Sequence, residues 1–189
     1  MSGSNGNGDR TSPPAPRSGA PAPLAALNDA SLPDAREILA RCCGATRWIE
    51  RVAATRPFRN GHDLLEAGDA AFEGLERDDW LEAFRAHPRI GERHAARSQT
   101  ATEARWSASE QAGTTTAGDA TRAALAAGNA AYEARFGFLY LVCAAGKSAD
   151  ELRARLEARL HNDRATELAV AADEQRQIMR LRLDRLLLG

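Results

Sequence analysis

Residues 63–88 read DLLEAGDAAFEGLERDDWLEAFRAHP, and this stretch decides the fold class. Its large apolar side chains recur at intervals of three and four residues, which is the spacing of one face of an α-helix. We predict a helix over the first half and a shorter one capped by Asp78 or Asp79, because short acidic side chains favour helix N-termini. The second helix ends at His87, because Pro88 follows and a proline does not continue a helix.

The same helical spacing extends to both sides. Upstream, Ser31 or Asp34 caps one predicted helix, and a second ends before the Arg56-Pro57 pair, since proline disfavours helix in the residue before it. The apolar run at 138–144 is predicted as a short buried segment, because no second strand is available to pair with it. The remaining predicted helices cover about residues 107–112, 118–135, 148–160 and 163–188. We therefore predict an all-α fold.

The chain is expected to form one domain preceded by a tail. Residues 1–30 are rich in Gly, Ser, Asn and Pro, and such a composition does not bury enough apolar surface to offset the entropy of ordering. We predict a disordered tail at 1–30. A length of 189 residues suits a single domain with its own core, so residues 31–189 are predicted to form a single-domain helical bundle.

Charge and composition exclude several classes of partner. The 25 basic and 26 acidic residues give a net charge of -1, whereas nucleic-acid binding relies on a basic face. No apolar run approaches the 18 or so residues of a membrane span, and no signal peptide is recognisable. Cys42, Cys43 and Cys143 are odd in number and lack the spacing of a metal site, so core cysteines in a reducing cytoplasm are expected.

His87 is the first candidate for chemistry. A lone histidine is more often a surface or core residue than a catalytic one. Here Pro88 restrains the backbone so that the imidazole can project into a cleft. Metal binding by His87, Glu92 and His94 is the competing interpretation and would make the protein a metal-dependent hydrolase, but their spacing matches no zinc motif. We therefore expect no metal.

Ser107 and Glu110 have the spacing of a capping box, an ordinary helix start. The hydrophobic staple of such a box would pair Trp106 with an apolar residue at position 111, where Gln111 stands instead. Glu110 and Gln111 are therefore also candidates for ligand binding, the first as an acceptor and the second as an amide that both donates and accepts.

Arg182 is the most informative charge in the sequence. At 100° per residue it falls inside the apolar arc of the last helix, between Ile178 and Leu186. A guanidinium on an apolar face needs an anion. Either an internal carboxylate or the carboxylate of a substrate satisfies this requirement, and the sequence leaves both open.

Several of these segments together resemble the decarboxylases that act on 2-oxo-4-hydroxy-4-carboxy-5-ureidoimidazoline (OHCU) in urate degradation. The resemblance covers about residues 31–188, and its segments follow one another in the family's order. Two positions depart from the family pattern, Glu92 where glycine is common and Leu139 where proline is common, and both concern loop geometry beside the site. The segments that carry the resemblance are Arg56-Pro57-Phe58, His87-Pro88-Arg89-Ile90-Gly91, Trp106-Ser107-x-x-Glu110-Gln111-x-Gly113, Phe136-Gly137-Phe138 and Ile178-x-x-Leu181-Arg182-Leu183.

The resemblance implies an all-α fold, no cofactor, a homodimer, and conversion of OHCU to (S)-allantoin with loss of carbon dioxide. It implies that His87 is the catalytic acid, that Glu110 orients the substrate, and that Arg182 either sits at the anionic end of the substrate or supports the pocket. We expect the Glu110 anion to keep His87 protonated if the two are close, and Arg182→Ala to weaken mainly substrate binding. The implied substrate contacts are Pro88, Ser107, Ala108, Ser109, Glu110, Gln111, Tyr140, Leu141, Val142, Cys143, Ala144 and Arg182.

A non-catalytic helical interaction module is the remaining alternative. In that case Ser107 and Glu110 only cap a helix, and Arg182 only forms an internal ion pair. No purine intermediate should then bind.

Overall fold

The computed structural model describes residues 22–91, 101–115 and 117–189. Within these ranges the regular secondary structure is entirely helical, which confirms the all-α prediction. A short 3₁₀ turn, Ala112–Thr114, separates the sixth and seventh helices. The helices are α1 (Ala22–Asp29), α2 (Leu32–Ala40), α3 (Thr46–Ala54), α4 (Gly61–Glu73), α5 (Arg77–Arg85), α6 (Ala101–Glu110), α7 (Asp119–Phe136), α8 (Ala149–Arg159) and α9 (Arg164–Leu188).

Most helix starts follow the capping residues in the sequence. Ser31 caps α2 by accepting from the Asp34 backbone N–H at 3.3 Å, and Asp163 caps α9. Ser148 and Glu151 form the predicted capping box of α8. The predicted cap of α5 is wrong: Glu76 caps this helix, two or three residues before Asp78 and Asp79.

The predicted tail boundary at residue 30 is wrong, because α1 lies inside it. Leu24 and Leu27 are buried in the core. The Arg56 guanidinium donates to the carbonyl oxygens of Leu27 and Ala30, each at 2.8 Å. Two leucines and a distant arginine thus order a segment whose composition alone predicts disorder. Residues 1–21 of the predicted tail lie outside the described residues.

Helix α6 also differs from its prediction. It begins at Ala101 rather than near residue 107, and Ser107 therefore lies inside the helix. The interpretation of Ser107 and Glu110 as a capping box is wrong, since an N-terminal cap requires a helix that starts there. Both side chains are buried.

Two clusters of buried side chains form the interior, and α9 contributes to both. The first surrounds Trp48 and includes Met179 and Leu183 of α9, together with the buried cysteines Cys42 and Cys43. The second surrounds Tyr132 and includes Ile178 of α9 and the 138–144 segment. That segment is largely buried, as predicted, and it forms neither a helix nor a strand. In the described part of the chain, no helix is long and apolar enough to cross a membrane.

Candidate active site

A cavity with about 300 Å³ of empty space, part of it open to solvent, lies between the end of α5, the end of α6, the 138–144 segment and α9. Nine of the residues predicted from the sequence lie in its wall, and Ile90 and Ile178 complete it. The predicted residues in the wall are His87, Pro88, Ser107, Glu110, Gln111, Tyr140, Leu141, Val142 and Ala144.

His87 follows the last turn of α5. Its backbone N–H donates to the Phe84 carbonyl at 3.1 Å, and its side chain is only 7% exposed. Burial lowers the pKa of the imidazole to about 3, and the positive charge of Arg182 acts in the same direction. Gln175 opposes both effects. In the free protein at neutral pH the imidazole is therefore uncharged.

The expectation that Glu110 keeps His87 protonated is wrong for the free protein. Glu110 accepts from Arg182 Nε at 3.0 Å and Arg182 Nη2 at 2.9 Å, in the bidentate arrangement of a strong ion pair. Arg185 Nη1 donates to the same carboxylate at 3.0 Å. Two guanidinium groups thus neutralise Glu110, and the loss of solvation at His87 is the larger effect.

The uncharged buried imidazole predicts a pH dependence of stability. The unfolded chain binds a proton at His87 near its ordinary pKa of 6.5, whereas the native chain does so only at about 3. The contribution of neutral His87 to the free energy of unfolding is therefore fully present above pH 6.5 and is lost as the pH falls toward 3. Between pH 7.5 and 5 we expect wild type to lose about 2 kcal/mol more than His87→Asn, measured by urea unfolding. Equal losses in the two proteins would contradict a neutral buried His87.

Arg182 has an internal carboxylate as its partner. Besides Glu110, its guanidinium donates to Ser107 Oγ at 3.2 Å and to the Arg41 carbonyl at 3.2 Å. It is 4% exposed and does not belong to the cavity wall. Arg182 therefore fixes Glu110 and Ser107 from behind, and its predicted contact with substrate stays a prediction.

Gln111 holds the loop that follows His87. Its Oε1 accepts from the Gly91 N–H at 2.9 Å, and on the other side Asn129 Nδ2 donates to the Ile90 carbonyl at 2.9 Å. Gly91 has φ +83°, a left-handed conformation that favours glycine. The Gln111 oxygen is thus engaged with the protein, so a contribution to ligand binding is expected from its Nε2 donor.

The 140–144 segment is held by two charged side chains that the sequence did not reveal. Arg159 Nη1 donates to the Leu141 carbonyl at 2.8 Å, and Glu174 Oε2 accepts from the Cys143 N–H at 2.8 Å. Among the described residues, none accepts from the N–H groups of Val142 and Ala144. These two N–H groups remain candidates for contacting a ligand, whereas that of Cys143 is engaged.

Arg159 itself belongs to a buried polar cluster. Its Nε donates to Glu167 Oε1 at 2.8 Å, and the Tyr132 hydroxyl donates to the same carboxylate oxygen. Burial, the largest cause, raises the pKa of the Tyr132 hydroxyl, and the Glu167 carboxylate raises it further. The cluster fixes Arg159, which in turn fixes the cavity wall.

Four predicted contact residues lie outside the cavity wall. Ala108 and Ser109 are exposed on α6, Cys143 is only partly buried, and Arg182 lies behind Glu110. Of the two departures from the family pattern, Leu139 packs against the second core cluster, while Glu92 lies outside the described residues.

The metal alternative rests partly on residues outside the described part of the chain, since Glu92 and His94 are among the undescribed ones. In the described ranges, no group of three or more His, Cys, Asp or Glu side chains is arranged to hold a metal ion.

Comparisons with known proteins agree on one family. The family model for OHCU decarboxylase matches residues 28–184. The uric acid degradation bifunctional protein TTL of Arabidopsis thaliana is 36% identical over 147 residues, which are 77% of this chain and 45% of that protein. The 2-oxo-4-hydroxy-4-carboxy-5-ureidoimidazoline decarboxylase of Haloferax volcanii is 32% identical over 137 residues, covering 72% of this chain and 79% of that protein.

A solved structure shares the fold. A crystal structure of OHCU decarboxylase in the presence of (S)-allantoin superposes with a TM-score of 0.69 at 29% identity, covering 82% of this chain and 99% of that chain. This chain spans less than half the length of the Arabidopsis relative.

Proposed function

The chain belongs to the OHCU decarboxylase family, and we propose that it converts OHCU to (S)-allantoin with release of carbon dioxide in urate degradation. One observation carries the proposal: a buried, uncharged imidazole shares a cavity wall with a carboxylate fixed by two arginines. A proton carrier and an anchored acceptor for N–H groups are the two functions that this substrate requires.

The substrate supplies its own electron sink. When the carboxylate departs as neutral carbon dioxide, the electron pair of the broken bond delocalises into the adjacent imine of the ring. One proton must then be taken up for each carbon dioxide released. The protein has to fix the breaking bond, donate to the developing negative charge and deliver that proton to one face. We therefore propose a reaction without cofactor or metal.

His87 is proposed to acquire its proton when substrate binds. A substrate carboxylate in the same cavity favours the imidazolium, because an opposite charge nearby raises the pKa of a histidine. The substrate carboxylate thus favours uptake by His87 of the proton that later takes the place of this carboxylate on the substrate. When carbon dioxide departs as a neutral molecule, the negative charge passes to the ring of the substrate, which then takes the proton from His87.

The other residues of the wall are proposed to orient the substrate. Glu110 accepts from the ureido N–H groups, and the Nε2 of Gln111 donates to a ring or ureido oxygen. The N–H groups of Val142 and Ala144 donate to the ring nitrogen on which negative charge develops. Ser107 and Pro88 complete the wall.

The proposal is tested by adding freshly generated OHCU to the purified protein and following carbon dioxide release and the circular dichroism of the product. We expect (S)-allantoin to form faster than in the spontaneous reaction, with the same rate before and after treatment with a chelator. A racemic product at the spontaneous rate would contradict the decarboxylase. Loss of activity with the chelator would favour the metal-dependent alternative.

We further propose that the chain works as a homodimer in the cytoplasm, as the family resemblance implies. Light scattering coupled to size exclusion should give about twice the 20.3 kDa of one chain. A mass of one chain at micromolar concentration would contradict the dimer.

A further inference from the structure

Gln175 of α9 is a buried side chain whose amide completes no hydrogen bond within the described part of the chain. The residue is 0% exposed, yet among the described residues neither its Nε2 nor its Oε1 completes a hydrogen bond. The large majority of buried side-chain polar atoms are hydrogen-bonded, because an unsatisfied one opposes folding. An amide retained at such a position needs a reason other than stability.

The position of Gln175 on α9 gives that reason. Residues three and seven apart lie on one face of a helix, so Gln175 shares its face with Ile178, which lines the cavity, and with Arg182, which holds Glu110. Gln175 does not itself line the cavity. Its amide is instead close enough to the His87 imidazole to oppose the lowering of the histidine pKa. An amide favours imidazolium when its oxygen faces a ring N–H.

We propose that Gln175 is a positioning residue for His87: its amide oxygen faces the N–H of the ring nitrogen directed at α9, completes that hydrogen bond when substrate binds, and leaves the other ring nitrogen directed at the cavity. The inference rests on the proposed function for its consequence in catalysis. In the free protein the cavity-facing nitrogen then carries the lone pair, and it takes up the proton when substrate binds. Hydrogen bonds to catalytic groups are often loose before substrate binds and tighten in the complex, which fits the incomplete geometry seen here.

The other charged and titratable groups that line the cavity or act on the imidazole have their observed hydrogen bonds elsewhere. Arg182 bears only donors, and these are engaged with Glu110, Ser107 and the Arg41 carbonyl. Glu110 is neutralised by two arginines. The Tyr140 hydroxyl donates to the Leu152 carbonyl at 3.3 Å, and burial raises its pKa to about 12, so it stays uncharged.

Gln175→Met tests the inference, because it keeps the length of the side chain and removes both unpaired polar atoms. We expect the midpoint of thermal unfolding to rise by about 2–4 °C, while kcat with OHCU falls about tenfold and KM stays within about twofold. A residue with only a structural role would lose stability and activity together. The matched control is Gln177→Met on the same helix, since Gln177 is exposed and is expected to leave kcat and KM unchanged.

The pH dependence of kcat gives a second test, because the inference predicts the direction in which it shifts. If His87 must be protonated in the complex, kcat falls as the pH rises through the pKa of His87. Removal of an acceptor that favours imidazolium lowers this pKa, so the falling limb of Gln175→Met should lie at lower pH than that of wild type. A limb at the wild-type position, together with a wild-type kcat, would overturn the inference. So would a rise in KM alone, which would make Gln175 a direct contact of the substrate.

The tautomer of His87 is measured without any turnover, by ¹⁵N NMR of the free protein labelled at histidine, with His87 assigned by its absence from His87→Ala. We expect one neutral tautomer in wild type and in Gln177→Met, and a mixture in Gln175→Met and Gln175→Leu. The same tautomer in all four proteins would overturn the inference. A mixture confined to the Gln175 variants supports the positioning role even if OHCU proves not to be the substrate, so the two proposals fail separately.

Discussion

His87→Ala is expected to lower kcat for OHCU decarboxylation by a factor of about 10² to 10⁴, the usual contribution of a positioned general acid or base. The imidazole is the titratable group of the cavity wall whose ordinary pKa is nearest neutrality, and its removal leaves the developing carbanion dependent on water for its proton. The backbone at residue 87 keeps its hydrogen bond to the Phe84 carbonyl, so the fold should persist. Steady-state kinetics with fresh OHCU, with circular dichroism as the check on folding, measures the effect.

His62→Ala is the matched control. His62 lies on α4 with a side chain 76% exposed, outside the cavity wall, and its replacement is expected to leave kcat unchanged. A folded His87→Ala protein that keeps near-normal rates would remove His87 from the mechanism.

Glu110→Ala is expected to destabilise the protein by about 3–5 kcal/mol, because it leaves a buried guanidinium without its anion. The Arg182 and Glu110 side chains are 5% and 8% exposed and approach to 2.9 Å, and they join α9 to the end of α6. Urea unfolding at pH 7.5 measures the loss. Arg182→Ala should be milder, since Glu110 keeps Arg185 at 3.0 Å.

The Arg36–Glu50 pair provides the control for this prediction. Its atoms approach to 2.7 Å, but the two side chains are 41% and 45% exposed, and exposed ion pairs contribute about 1 kcal/mol or less. Glu50→Ala should therefore have little effect. If Glu110→Ala destabilises no more than Glu50→Ala, the buried pair does not hold α9 to α6.

Helical periodicity was sufficient to predict the fold class. Local composition gave a wrong prediction where contacts between residues distant in sequence determine the structure. Ser31, Ser148 and Asp163 act within their own helices, so their capping roles could be predicted from neighbouring residues. Helix α1 depends on the Arg56 guanidinium, which is 29 residues away from Leu27. The residues next to α1 in the sequence do not indicate this contact.

The site likewise combines features that the sequence predicts with features that depend on contacts between distant residues. The position of Arg182 on an apolar arc correctly indicated a bound anion, but the anion is Glu110, 72 residues earlier. The capping interpretation of Ser107 failed because α6 begins six residues before it, in polar sequence without a strong periodic signal. The charge state of His87 depends on burial, and burial is a property of the assembled fold.

The position of bound product tests the account most directly. In a crystal structure of this protein with (S)-allantoin, we expect the ring inside the cavity, with the His87 imidazole within hydrogen-bond distance and the ureido N–H groups directed at Glu110. Product bound at another surface, with His87 and Glu110 contacting only protein, would contradict the central claim that these two side chains serve one substrate.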